Sequence, residues 1–269
     1  MASGQRNQGA HSLIVYRHPG LSGIELWHGL VGHATLYQLR DSKREYFEGL
    51  REFLVRLHGG RAESSDAPDS ADLDRAAGFR WVVFCGGDAG HPLLAQALRS
   101  APLPFEFELA DSGPYAARAG ARCVFDEMRW NNGVAFDLGQ SRLKVISEHD
   151  QRVIPRDSAA LPFGAYALDP ARGIDQLRSM IHTELERFDR PDGVVLGLPV
   201  ALDEQGSGRP ATYPGLFGPV EPLFAGLFET PWIVVNDAVL AARGFPPPNS
   251  GKTLVVTLGF GIGGALWDT

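Results

Sequence analysis

Two cysteines, Cys85 and Cys123, are all that the 269 residues contain. Both sit in apolar stretches, so a disulfide framework is excluded, as is a Cys-rich zinc or iron–sulfur site. Positive charge is also scarce. Lys and Arg number 25 against 32 Asp and Glu, for a net charge of -7, and no overall basic surface offers itself to nucleic acid or anionic lipid. No apolar run reaches membrane-spanning length, and the opening MASGQRNQGAH lacks the apolar core of a secretion signal. The expectation is a soluble, cytoplasmic protein with no nucleic-acid or membrane partner. What is present is ordinary: 44% apolar and 21% charged residues, enough for one large domain or two lobes.

Strand-like and helix-like segments alternate regularly. Gly133–Asp137 and Arg142–Ser147 read as a hairpin, and Gln151–Pro155 as a third strand. Ile174, Leu177, Ile181, Leu185 and Phe188 form a helical stripe at spacings of three and four. Gly193–Gly197 is a strand, Val220 to Phe228 a helix, Trp232–Val235 a strand and Asp237–Arg243 a short helix. That order, βββαβαβα, recurs if the C-terminus is read on into the N-terminus. Thr253–Leu258 and Ile262–Trp267 make a second hairpin, with Leu13–Tyr16 or Ala34–Leu39 as its third strand. A helix carries Tyr46, Phe47, Leu50, Phe53, Leu54 and Leu57; Arg80–Phe84 is a strand. Pro92 starts a helix to Arg99, Phe105–Leu109 is a strand, and a final helix runs from Pro114 to about Cys123. Gly59–Gly78, rich in Ser, Asp, Ala and Gly, reads as a mobile acidic surface loop. The pattern implies a circular permutation, which is inexpensive where the original termini lie close and the new ones fall in an exposed turn.

Two hairpin turns read either as ordinary turns or as cradles for phosphate. Asp137-Leu138-Gly139-Gln140-Ser141-Arg142-Leu143-Lys144 offers backbone N–H groups, a hydroxyl and a lysine to phosphate oxygens, with Asp137 able to hold hydrated Mg2+. Leu258-Gly259-Phe260-Gly261-Ile262-Gly263-Gly264 lacks side chains where backbone would approach an anion. Val235-Asn236-Asp237-Ala238 runs a strand into a helix start, where the pair serves either as a cap or as a carboxylate base. Val82-Val83-Phe84-Cys85-Gly86-Gly87-Asp88 ends a strand in small residues.

In this rotated order the blocks resemble the sugar-kinase, actin and heat-shock-chaperone ATPase superfamily, and within it the ROK family of sugar kinases, near the polyphosphate glucokinases. The resemblance implies a two-lobed, actin-like (ribonuclease H-like) α/β fold, circularly permuted, with a ligand cleft between the lobes. Residues 1–126 and 245–269 would form one nucleotide-side lobe split across the termini, and 127–244 the other. It implies phosphoryl transfer from ATP or polyphosphate, with Mg2+, to a hydroxyl of a sugar-like acceptor. Asp137, Gly139, Gln140, Ser141 and Lys144 match the family's first phosphate loop, and Gly259, Phe260, Gly261 and Gly263 its second. Gly86 and Gly87 match its adenosine-side turn, and Asp237 its general base.

Asn236 would contact sugar hydroxyls. Glu25 and His28, in Gly23-Ile24-Glu25-Leu26-Trp27-His28, resemble the family's sugar-binding Glu and His, although His33 in a second Gly-x-x-Gly-His run competes. Thr212 stands at the place of a sugar-contacting Asn, and Leu216 at that of a Trp. The family's cysteine motif is missing, so no structural zinc is expected. A homodimer, common in that family, is a further implication. Gln140, Phe260 and Thr212 depart from the family pattern at contact positions, which keeps a non-catalytic sugar or nucleotide sensor as the alternative; an ATPase-type switch is a weaker one.

Overall fold

The protein is a mixed α/β structure with several sheets, seen in a computed structural model. It describes residues 12–17, 24–30, 43–59, 77–110, 115–139, 142–156, 170–200, 202, 207–208, 214–216, 218–245, 251–259 and 262–268. In chain order the strands are β1 (Ser12–Arg17), β2 (Ile24–Leu30), β3 (Trp81–Cys85), β4 (Glu106–Leu109), β5 (Gly133–Leu138), β6 (Arg142–Ser147), β7 (Gln151–Pro155), β8 (Gly193–Leu198), β9 (Ser207–Gly208), β10 (Gly218–Pro219), β11 (Trp232–Asn236), β12 (Lys252–Leu258) and β13 (Ile262–Asp268). The helices are α1 (Lys43–His58), α2 (Pro92–Arg99), α3 (Ala116–Met128), α4 (Pro170–Leu185), α5 (Glu221–Phe224) and α6 (Asp237–Ala242). No described helix is long and apolar enough to cross a membrane.

Two large sheets share one plan. The five-stranded sheet runs β11-β8-β5-β6-β7. The strands β5, β8 and β11 are parallel, and β6 and β7 add on antiparallel. The six-stranded sheet runs β4-β3-β12-β13-β2-β1. Here β12, β3 and β4 are parallel, and β13 and β2 add on antiparallel. Five strands thus repeat in the same order and directions, and the second set draws β12 and β13 from the end of the chain and β2 from its start.

The side-chain period of two sorts each sheet into two apolar faces. Val82, Phe84, Leu254, Val256 and Leu266 meet Phe47, Leu50 and Leu54 of α1 and Leu94 and Leu98 of α2. Val134, Phe136, Leu143, Val145, Val194 and Leu196 meet Ile174, Leu177 and Ile181 of α4. The alternate residues Val83, Cys85, Val255 and Ala265 of one sheet, and Ala135, Ile146, Val195 and Val235 of the other, share a third cluster with α3 and α6. These two helices therefore lie between the sheets, and they cross very closely. A Cβ on Gly120 would fall 1.5 Å from the Leu240 carbonyl oxygen, so only glycine permits the contact.

Three expectations need correction. The third strand beside the second hairpin is Ile24–Leu30, while Ser12–Arg17 pairs outside it as an added edge strand. Ala34–Leu39 and most of Gly59–Gly78 lie outside the described residues. The helix expected over Val220–Phe228 shrinks to the single turn of α5, because Ala225 at ψ 137 leaves the helix and Gly226 at φ 71 completes a tight turn in which the Leu227 N–H donates to the Phe224 carbonyl. In the other direction, α3 continues past Cys123 to Met128 and ends where Arg129 takes a left-handed conformation at φ 58.

Candidate functional site

Strands β5, β8 and β11 all end at the same edge of their sheet, where Asp137 lies opposite Gly197, and Leu198 opposite Asn236. Carboxyl ends of parallel strands are where open α/β sheets gather ligand-binding residues. Asp137 is 4% exposed. Its Oδ2 accepts from Lys144 Nζ at 2.5 Å across the first hairpin, where the two residues are register partners. Burial alone would lower the Lys144 pKa; the paired Asp137 carboxylate outweighs it and the net shift is upward.

Asp237 is the first residue of α6 and is only partly exposed. Its Oδ1 accepts from the Ala238 N–H at 2.8 Å. Burial first, and then the nearby Asp137 carboxylate, push the Asp237 carboxyl up to about 7, against the pull of the Ala238 N–H and of Lys144. Two carboxylates and one ammonium thus share a site with an excess of negative charge. A group that titrates near neutrality in such a place suits proton transfer.

The second hairpin packs against the same point. A Cβ on Gly263 would lie 3.1 Å from the Ala238 Cβ and 2.5 Å from Thr257 Oγ1, so the bare backbone lets β13 reach the start of α6. Gly86, at φ 95, would place a Cβ 2.3 Å from the Leu258 carbonyl oxygen, and the Asp88 N–H donates to that same oxygen. The protein's own backbone therefore uses the room that Gly86 leaves. Beside Gly87 and Gly259 there is nothing within 4 Å of a built Cβ, so these two border open space.

Cys85 joins this group from β3. Burial pushes its thiol up to about 12; Lys144 opposes the rise, and Asp237 and Asp137 add to it. The sequence reading passed over Cys85, although its place directly before Gly86 marked it. Arg156 was also missed, since nothing in Pro155-Arg156 distinguishes it from a strand end. It is 5% exposed, and its Nη1 donates to the Gly139 carbonyl at 2.5 Å.

Of the expected residues, Asp137, Lys144 and Asp237 come together, and Gly139, Gly263 and Gly86 frame them. Asn236 is engaged structurally. Its Oδ1 accepts from the Ala238 and Val239 N–H groups at 2.7 and 3.3 Å, and its Nδ2 donates to the Val200 carbonyl at 3.0 Å. That is the capping role, and it leaves one buried N–H for anything else. Glu25 and His28 lie within β2, with Glu25 opposite Leu266, four residues along β13 from the turn at Ile262. Leu216 is fully buried in the cluster beneath β5 and β8. Gln140, Ser141, Phe260, Gly261, Thr212 and His33 fall outside the described residues.

Asp137 offers a hard oxygen donor, and no group of three His, Cys, Asp or Glu that could hold a metal occurs among the described residues. One carboxylate, with the rest of the shell left to water and phosphate, is a donor set that fits Mg2+. No protein-family model matches the chain, and no match was found among curated proteins.

Proposed function

We propose that this chain is a circularly permuted phosphotransferase of the ROK sugar-kinase type, with the two-lobed actin-like fold, moving a phosphoryl group from ATP or polyphosphate to a hydroxyl of a sugar-like acceptor. The observation that carries the reading is the meeting of the Asp137–Lys144 pair with Asp237 beside the second glycine hairpin. The repeated five-strand plan, completed across the termini, supports it.

In this reading Asp237 accepts the proton of the acceptor hydroxyl as the oxygen turns toward phosphorus. Its pKa of about 7 places it near the operating pH, where a general base works best. Lys144 holds the donor's phosphate oxygens, and the two glycine turns supply N–H groups. Asp137 would hold Mg2+, which when bound neutralises phosphate charge. Most of the acceleration comes from positioning and electrostatics, since phosphoryl transfer requires little covalent work from the protein.

A coupled assay of sugars, aminosugars and cyclitols against ATP and polyphosphate tests this. The expected result is turnover with at least one pair, lost by about 10³-fold or more in Asp237→Asn while donor binding persists. Turnover unchanged in that variant removes Asp237 from the base role. The sensor reading draws on Gln140, Phe260 and Thr212, which depart from the family pattern at contact positions. It predicts sugar binding by calorimetry without Mg-nucleotide, and no turnover with any pair.

A further inference from the structure

The five-stranded sheet has a second polar region at the end opposite Asp137. Gly133 and Gly193, the first residues of β5 and β8, are register partners there, and each is covered by an aromatic ring. A Cβ on Gly133 would fall 2.4 Å from Phe125 Cδ1, and one on Gly193 would fall 2.1 Å from Trp130 Cε2. The missing side chains thus seat two rings against neighbouring strand ends. Trp130 reaches this place because α3 stops at Arg129 and the Trp130 N–H turns back to the Phe125 carbonyl at 2.9 Å. The Asn131 N–H is held by Asp192 Oδ2 at 2.9 Å.

The β6–β7 turn stands opposite this wall. It is closed by the Ser147 N–H, which donates to the Asp150 carbonyl at 2.9 Å, and is tied to α3 by Arg118 Nη2, which donates to the His149 carbonyl at 3.1 Å. Between these fixed walls lies a recess of about 390 Å³, open to solvent and lined by Arg122, Phe125, Asp126, Trp130, Asn131 and Glu148. Its polar groups are uncommitted. The side chains of Arg122, Asp126 and Asn131 make no hydrogen bond or ion pair among the described residues. Glu148 has only an exposed contact with its neighbour His149, at 3.6 Å.

One guanidinium and two carboxylates over an aromatic floor define the molecule that would complement them. It carries one carboxylate, two cationic groups and an aliphatic stem. A guanidinium takes a carboxylate through paired N–H bonds. Cations are drawn to carboxylates and to the indole face, and a methylene stem covers ring surface.

We propose that the recess between the C-terminal half of α3 and the β6–β7 turn binds a basic α-amino acid. Arg122 takes its carboxylate, Asp126 and Glu148 its two cationic groups, and Phe125 and Trp130 its stem. The inference is independent of the chemistry at Asp237.

The test is calorimetric titration of the full chain with L-arginine, L-citrulline and agmatine. L-citrulline loses the side-chain charge, and agmatine loses the carboxylate. Wild type and Glu229→Gln, which removes an exposed carboxylate elsewhere, should bind L-arginine alike, at one site per chain. Either analogue should bind wild type about tenfold more weakly, as expected when one charged hydrogen-bonding group is removed. Asp126→Asn and Glu148→Gln should each weaken L-arginine binding by about fivefold or more. Arg122→Gln should weaken it by about tenfold and leave agmatine unaffected, so that the two ligands then bind alike. The replaced side chains are exposed, so melting points should stay at the wild-type value. No saturable binding of L-arginine by wild type overturns the inference. Unchanged affinity in all three variants does so too, as does equal affinity of wild type for L-arginine and both analogues.

Discussion

The two hairpins occupy matching places in the two sheets and are equipped in opposite ways. In the first, Asp137 faces Lys144 one step before the turn; in the second, the corresponding pair is Thr257 and Gly263. One hairpin places an ion pair at its mouth, and the other removes a side chain so that β13 can press on Ala238. The same backbone plan thus serves charge on one side and close approach on the other. A phosphate clamp needs both: a cation to attract the anion, and a bare wall that lets backbone reach it.

Breaking the contrast at its centre has the largest expected effect. Asp237→Asn should reduce turnover by about 10³-fold, equivalent to roughly 4 kcal/mol of barrier, as read in the coupled assay. Gly263→Lys would make the second hairpin copy the first, and the added side chain must displace Ala238 or Thr257. It should lower stability by about 2–4 kcal/mol in urea unfolding and disturb Asp237 with it. Lys144→Met removes the cation that the first hairpin has and the second lacks. It should leave Asp137 buried without its partner, costing about 3 kcal/mol of stability, and weaken tripolyphosphate binding.

A smaller effect has the opposite sign. The Asp237 carboxyl titrates near 7 in the folded protein, above the ordinary value of 3.8. Its contribution to stability is therefore fully present below about pH 4 and is lost as pH rises through 7. Asp237→Asn should stabilise the protein by roughly 1–3 kcal/mol at pH 8, discounted for the partial exposure of the group, and the gain should vanish toward pH 4. Urea unfolding at the two pH values reads this directly. The same titration predicts that kcat/KM rises with pH to a plateau above about 7, which a pH–rate profile checks.

Much of the plan was legible because it is written in local periodicity. The stripe from Tyr46 to Leu57, the strand Gly193–Leu198 and both hairpins follow directly from spacings of two or of three and four. The third strand of the split sheet was not legible. Leu13–Tyr16 and Ala34–Leu39 were the candidates, whereas Ile24–Leu30 is interrupted by Glu25, His28 and Gly29, and its place is made by β13, more than 230 residues away in sequence.

At the site, Asp137, Lys144 and Asp237 were marked by the chemistry of their neighbours in sequence. Asn236 was not decidable in advance, because its capping depends on the Ala238 N–H but its remaining bond depends on the distant Val200 carbonyl. Arg156 gave no signal at all; its meaning appears only where β7 brings it beside Gly139.

The central claim is that residues from the middle and from the end of the chain close on one anion. Amide hydrogen exchange with and without tripolyphosphate and Mg2+ measures this most directly. The account predicts that the hairpins spanning residues 136–144 and 256–264 gain protection together, with the same dependence on ligand concentration. Protection confined to one hairpin, or absent from both at saturating ligand, would contradict it.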